Sequence, residues 1–246
     1  MNIQNKKALI TGGGSGIGFS IAKTFTEGGA HVILVGRNEE KLKSAVGSLK
    51  NAEYIVADVS SDADVKLLVE TVKFDHGGID ILINNAGVSF YVPAVFSEEF
   101  KEKTKQEMDI NFHAVVNLIN QFLPDLRDRG DAAIVNVASV LAYVPSIYAV
   151  TYSASKAALH SYSQSLRLHL EREDADVKVF EVFPPLVDTE MTAGLDTPKI
   201  APEVIAKDLI KALLGDNFSV RSGVTEDMYR ALLASPENAL AIMNSN

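Results

Sequence analysis

TGGGSGIG, residues 11–18, follows the apolar run ALIT (8–11) and leads into IGFSIAKTFTEGG (17–29), whose apolar residues recur at helical spacing. A chain crossing from strand to helix through so many glycines turns tightly. Gly12, Gly16 and Gly18 have the spacing GxxxGxG; the pattern GxGxxG fails, because Ile17 stands at its third glycine position. Glycine lets the backbone approach a bound group, and the helix that follows offers free N–H groups and a positive dipole end. The stretch therefore reads as a phosphate cradle, with Ser15 and Ile17 lining the turn.

Outward from the turn, short apolar runs alternate with amphipathic stretches. HVILVG (31–36), YIVADV (54–59), IDILINN (79–85), AAIVNVAS (132–139), VKVFEVF (177–183) and the short FSVRS (218–222) read as strands. Most are continuously apolar, as strands covered on both faces are. NEEKLKSAVGSL (38–49), SDADVKLLVETVKF (61–74), SEEFKEKTKQEMDINFHAVVNLINQFL (97–123), a stretch from near Tyr152 to about Glu171, and EVIAKDLIKALL (203–214) read as helices. TEDMYRALLASPENALAIM (225–243) continues as helix, interrupted at Pro236, and the first helix stops at Gly28 and Gly29. This order predicts an α/β, Rossmann-type, doubly wound parallel sheet of about seven strands with helices on both faces, in one domain spanning 1–246. FPPLVDTEMTAGLDTPKIAPE (183–203) is long enough for a lid around 186–205.

Composition narrows the partners. With 246 residues, 47% hydrophobic and 22% charged, the chain suits one soluble domain with a full core. A net charge of -9 argues against nucleic acid. The absence of cysteine excludes disulfides and thiolate chemistry. MNIQNKKALITGGG is not a signal sequence, and no apolar run approaches the ~20 residues that span a bilayer, so a cytoplasmic protein without a membrane partner is expected. His31, His76, His113, His160 and His169 are scattered, with no HxxxH pair, so no metal is expected. His160 and His169 read as ordinary surface or core residues.

In doubly wound sheets the ligand lies beyond the carboxyl ends of the strands. Asp58 follows the third run, suited to an adenine, and NNAG (84–87) follows the fourth, where it can brace the nucleotide loop. Ser139 ends the fifth. Tyr152 and Lys156 in YSASK (152–156) share a helix face at i,i+4. Asn111 sits within a helical pattern, where Asn competes for backbone hydrogen bonds.

TGGGSGIG, NNAG, Asn111, Ser139 and YSASK together resemble, in order and spacing, the short-chain dehydrogenases/reductases, from about residue 5 to residue 190. VFPPLVDTEMT and the last strand loosely resemble a subgroup associated with teichoic-acid D-alanylation gene clusters. The resemblance implies a nicotinamide cofactor and a catalytic tetrad of Asn111, Ser139, Tyr152 and Lys156. It implies that Asn111 steadies a water linking Lys156 to solvent, and that Lys156 also holds the nicotinamide ribose. It further implies cofactor contacts at Asp58, Val59, Asn85, Ala86, Gly87, Pro184, Val187 and Thr189. There is one departure: Pro184-Pro185 stands where the family has Pro-Gly. The second proline removes an N–H and fixes φ beside the nicotinamide.

The Tyr–Lys pair suits hydride transfer, since a ketone that gains hydride must also gain a proton. A free phenol, pKa near 10, is ionised only ~0.1% at pH 7, and lowering it by ~3 units takes about 4 kcal/mol. An ammonium ~4 Å away at an effective dielectric of ~20 supplies about that. Lys156 is thus expected to lower the Tyr152 pKa inside a partly dry cleft. An NAD(P)(H)-dependent oxidoreductase acting on a small-molecule carbonyl or secondary alcohol follows. The alternatives are a catalytically silent nucleotide-sensing or binding protein and a sugar-nucleotide epimerase or dehydratase; the intact tetrad disfavours the first and chain length the second.

The second strand ends at Gly36 and Arg37, without the carboxylate that grips a ribose diol, so NADP(H) is favoured over NAD(H), with Arg37 on the 2′-phosphate and Asn38 adding a donor. VSFYVPAVF (88–96) and VLAYVPSIY (140–148) flank the reacting centre with Phe90, Tyr91, Leu141, Tyr143 and Tyr148, predicting a largely apolar substrate. Phe112, Val115, Val116, Leu118 and Ile119 are more than one helix face can bury, predicting a homodimer or homotetramer.

Overall fold

The computed structural model describes residues 1–91 and 97–245. Seven strands form one sheet in the order β3-β2-β1-β4-β5-β6-β7, every neighbouring pair parallel. They are β1 (Lys7–Thr11), β2 (His31–Gly36), β3 (Ala52–Val56), β4 (Ile81–Asn84), β5 (Ala132–Val137), β6 (Val177–Phe183) and β7 (Ser219–Arg221). Alternate residues feed two cores. Ala8, Ile10, Val32 and Leu34 face one side with Ile21, Phe25 and Leu209, while Leu9, Ile33 and Val35 face the other with Leu68, Val72, Leu118 and Phe122. Both faces are therefore covered, which is why the runs are apolar throughout.

The first side carries α1 (Gly16–Glu27), α2 (Glu39–Gly47) and α7 (Pro202–Gly215), and the second α3 (Asp62–His76), α5 (Ala114–Arg129) and α6 (Val150–Arg172). The chain reverses direction across the sheet between β1 and β4, which opens a crevice at their carboxyl ends. Asn38, Ser61 and Ser97 start α2, α3 and α4 (Glu98–Met108) by accepting a backbone N–H with their side chains. α8 (Thr225–Ala234) and α9 (Pro236–Asn244) divide at Ser235, with Pro236 in the first turn of α9.

Three elements differ from expectation. The long helical run over 97–123 is α4, then a π-helical turn over Asp109–His113, then α5. The third strand stops at Val56, because the Asp58 N–H turns to the Asp64 carboxyl at 2.9 Å. Val115, Leu118 and Ile119 are buried in this chain's own core, and Phe112 packs edge-on to Tyr162 at 6.1 Å. The apolar surplus that suggested a homodimer or homotetramer is thus largely absorbed within the chain. Among the described residues no helix is long and apolar enough to cross a membrane.

Candidate active site

The glycine turn is shaped by backbone approach. Gly12 and Gly16 have φ of 65° and 54°, the left-handed region that side chains disfavour. Gly18 is required for space, because a Cβ there would lie 2.4 Å from the Gly12 carbonyl oxygen and 2.5 Å from Asn85 Nδ2. Asn85 braces the turn by donating from Nδ2 to the Thr11 and Gly12 carbonyls at 2.9 and 3.2 Å. The Thr11 hydroxyl accepts the Asn85 and Ala86 N–H groups, both at 3.0 Å. Asn84 instead faces the interior and donates to Asn136 at 2.8 Å. Thr189 lies against Gly16, its Cγ2 3.1 Å from where a Cβ would stand. Ser15 precedes α1 in extended conformation, and Ile17 packs on the first core.

From this turn a cleft runs along Gly12, Gly36, Arg37, Asp58, Val59, Ala86, Gly87 and Val88. Arg37 is largely exposed, its guanidinium 3.7 Å from the Asp58 carboxyl. Burial works against the charged form of Asp58, but hydrogen bonds from Ser60 and the Arg37 charge more than offset it and hold the carboxyl below its usual range. Asn38 accepts the Lys41 N–H at 3.0 Å and so caps α2.

At the other end, Tyr152, Lys156, Asn111 and Ser139 converge. Ser139 ends β5's extension and accepts the Leu141 N–H at 3.1 Å, and its hydroxyl lies near enough to the Tyr152 phenol to favour the ionised form. Lys156 is buried on α6 and donates to the Val137 carbonyl at 2.7 Å. A Cβ on Gly87 would stand 3.2 Å from Asn111 Oδ1 and 3.6 Å from Lys156 Nζ, so Gly87 leaves room for both. Asn111 sits in the π-turn, where its side chain bridges elements: Oδ1 accepts the Val88 N–H at 2.9 Å, and Nδ2 donates to the Val88 carbonyl at 2.9 Å and Ser155 Oγ at 3.0 Å. A mid-helix Asn is accommodated here because the widened turn frees it to bond across to its neighbours.

The electrostatics depart from expectation. Burial pushes the Tyr152 phenol up to about 12, and the Glu107 charge adds to this against the opposing influence of the Ser139 hydroxyl. Burial lowers Lys156 to about 8. Lys156 Nζ is tied to the Val137 carbonyl and lies 5.6 Å from the Tyr152 ring centre, and with its own pKa lowered to about 8 it is already neutral in the range where the phenol ionises.

The flanking aromatics separate into two groups. Tyr91 and Tyr148 are exposed at the rim, ring centres 6.5 Å apart, and Phe90 lies under the Lys103 ammonium at 4.5 Å. Leu141 is half-buried beside Ser139. Tyr143 is taken up by packing: its ring stacks on Phe183 at 4.4 Å and meets Tyr229 at 4.9 Å and His160 at 5.0 Å. His160 in turn pairs with buried Glu181 at 2.7 Å. The part of VSFYVPAVF beyond Tyr91 lies outside the described residues. Pro184 gives its carbonyl to the Val140 N–H at 2.9 Å, and Val187 pairs with Ile200 as an isolated parallel bridge that closes the loop between them.

Two residues near the site escaped the sequence reading. Lys41 lies over Gly14 and pairs with Glu190 at 2.5 Å, linking α2 to the turn after Thr189. Glu107 is fully buried, accepts the Phe90 N–H at 2.7 Å and the Thr151 hydroxyl, and so ties the rim loop to the residue before Tyr152. It is hidden within the charged run KEKTKQE, which otherwise reads as a solvated face. Glu107→Leu is expected to leave the Phe90 N–H unsatisfied, lowering stability by about 1–3 kcal/mol in urea unfolding. It should also raise KM for the substrate more than it lowers kcat; an unchanged KM would remove the loop-positioning role.

Residues 6–199 match the family described as short chain dehydrogenase. The chain belongs to that family. Its oxidoreductase relatives include DltE of Bacillus subtilis strain 168, named as uncharacterized, which is 38% identical over 195 residues covering 77% of this chain and 74% of the relative. This agrees with the loose subgroup resemblance in the sequence. An uncharacterized oxidoreductase of Staphylococcus epidermidis is 34% identical over 215 residues, covering 86% of this chain and 92% of the relative. Among solved structures, a short chain dehydrogenase from Burkholderia cenocepacia in complex with NADP superposes with a TM-score of 0.88 at 29% identity, covering 100% of both chains. A short chain dehydrogenase/reductase from Burkholderia phymatum in complex with NAD gives a TM-score of 0.88 at 21% identity, covering 100% of this chain and 97% of that one, a likeness of fold.

Proposed function

We propose that this protein moves hydride between a nicotinamide cofactor and a carbonyl or secondary alcohol, with Tyr152 as general acid/base. The observation that carries this is the convergence of Tyr152, Ser139 and Lys156 at the carboxyl end of β5, in one crevice with a glycine turn that a Cβ would fill. Gly12, Gly16 and Gly18 would admit the pyrophosphate, and Asp58, Val59 and Arg37 the adenosine half. Asn85, Ala86 and Gly87 line the middle, and Pro184, Val187 and Thr189 the nicotinamide end, beneath a lid over 186–205. The bound cofactor supplies or accepts the hydride. Tyr152 gives its proton to the substrate oxygen in reduction and takes one in oxidation, while Ser139 steadies that oxygen. Lys156 reaches the ribose and refills the phenol's proton. Both N–H groups of the Asn111 amide are engaged with Val88 and Ser155, and Oδ1, which accepts one N–H from Val88, keeps a lone pair with which to steady a water linking Lys156 to solvent.

The rim residues Phe90, Tyr91, Leu141 and Tyr148 favour a largely apolar ketone or aldehyde. Assembly into a homodimer or homotetramer belongs to this reading through the family resemblance, and a cytoplasmic location through an N-terminal sequence that does not read as a signal and the want of a membrane-length apolar run. Arg37 favours NADP(H): it is free to swing from a loose contact with Asp58 to a bidentate grip on a 2′-phosphate. One charge-assisted contact, worth ~1.5–3 kcal/mol, favours NADPH by about ten- to a hundredfold. The test is oxidation of NADPH and of NADH against a panel of apolar and anionic carbonyls, by the parent and by Arg37→Ala. Apolar substrates and NADPH should win in the parent, and the substitution should erase most of the cofactor ratio. A parent that prefers NADH, or a ratio that Arg37→Ala leaves alone, refutes the cofactor assignment; no turnover on any carbonyl refutes the activity.

A further inference from the structure

His31, Glu53 and His76 lie far apart in sequence, and the fold brings them together at the amino ends of the strands, the opposite end of the sheet from Tyr152. Strand register places the first two. Ile33 on β2 pairs with Glu53 on β3, so His31, two residues before Ile33, points to the same face as Glu53. That face is the one α3 covers, with Ile33 in a common core with Leu68 and Val72. His76 is the last residue of α3. Gly77, at φ 62°, stops the helix there, and the Lys7 ammonium donates to the His76 carbonyl and holds its end in place.

The donors converge. His31 Nε2 is 2.8 Å from Glu53 Oε1, and His76 Nδ1 is 3.8 Å from the same oxygen. One ligand atom from each residue lies within 4.8 Å of the other two. A tetrahedral zinc with bonds of ~2.0–2.1 Å separates neighbouring donor atoms by ~3.3 Å. The two separations on Glu53 bracket that value, so small side-chain rotations would bring all three onto one cation. The second separation is too long for a hydrogen bond, so the His76–Glu53 contact has no direct hydrogen bond to explain it.

We propose that His31, Glu53 and His76 bind a divalent transition-metal cation, with zinc the best match to two imidazoles and one carboxylate. Glu53 is half-exposed, with 53% of its side-chain surface open, which gives the ion a way in and leaves a fourth position for water. The cation would clip the end of α3 to β2 and to β3, the strand at the sheet's edge. Its effect is on stability, since the site lies away from the crevice.

The test uses the untagged full chain, stripped with a chelator and titrated with zinc and, as a spectroscopic probe, cobalt. One equivalent should bind, with visible absorption from nitrogen-ligated cobalt and a melting temperature that rises with metal concentration. His31→Ala and His76→Ala should each weaken binding by at least ~10-fold, the loss that even outer-shell substitutions bring to metal sites. Glu53→Gln, at an exposed position, serves where a histidine variant fails to fold. No saturable equivalent, or undiminished binding by the variants, overturns the proposal and leaves a cross-strand His–Glu pair. This result is independent of the oxidoreductase reading, because it needs no turnover.

Discussion

Tyr152→Phe is expected to lose about 10²–10⁴-fold in kcat while keeping its fold and cofactor affinity, because only the hydroxyl that carries the proton is removed. The ring remains, and the Lys156 ammonium over it is already held by Val137, so neighbouring geometry should survive. The parent phenol, pushed up to about 12, is protonated throughout the neutral range. Carbonyl reduction should therefore show no loss from phenol ionisation between about pH 6 and 8. Alcohol oxidation needs the ionised form and should climb with pH across that window. Steady-state rates in both directions and cofactor titration by fluorescence provide the check. Residual turnover within a few-fold of the parent would sink the role of Tyr152, whereas lost turnover with lost cofactor binding would point to misfolding.

Lys156→Met should likewise abolish most turnover and weaken cofactor binding, yet change stability in a pH-dependent way. Burial lowers the Lys156 pKa from 10.5 to about 8, so the folded protein disfavours the charged form. Below about pH 8 both states hold the proton, and burying the ammonium costs about 3 kcal/mol at ~1.4 kcal/mol per unit. Between about pH 8 and pH 10.5 the unfolded chain binds more protons than the folded one, so parent stability gains with rising pH. Methionine has no such dependence. The advantage of Lys156→Met over the parent should be largest below pH 8 and shrink by about 3 kcal/mol as pH passes 10.5. The unsatisfied Val137 carbonyl takes back ~1–3 kcal/mol at every pH. The raised Tyr152 opposes stability above pH 10 in both proteins and cancels in the difference. Urea unfolding across this range measures it; a difference that does not change with pH would mean Lys156 is better solvated than its 4% exposure implies.

Local patterns carried the fold and the meeting of four polar side chains. Apolar runs of strand length, helical periodicity and Gly12, Gly16 and Gly18 are properties of neighbouring residues, and each constrains the backbone where it stands. The five motifs in register placed Asn111, Ser139, Tyr152 and Lys156, which do meet in one crevice. What the sequence could not carry depends on long-range contact. Asn111 read as an awkward helical residue until the π-turn and its bonds to Val88 and Ser155 were in place. Tyr143 read as pocket lining, but Phe183, Tyr229 and His160 claim its ring. Glu107, in a run of charges, gave no sign of its burial. The sign of the Tyr152 shift was also a tertiary matter. Spacing brought the two groups to one helix face, but burial, set by the surrounding fold, raises Tyr152 to about 12 and lowers Lys156 to about 8, so the lysine is already neutral where the phenol ionises.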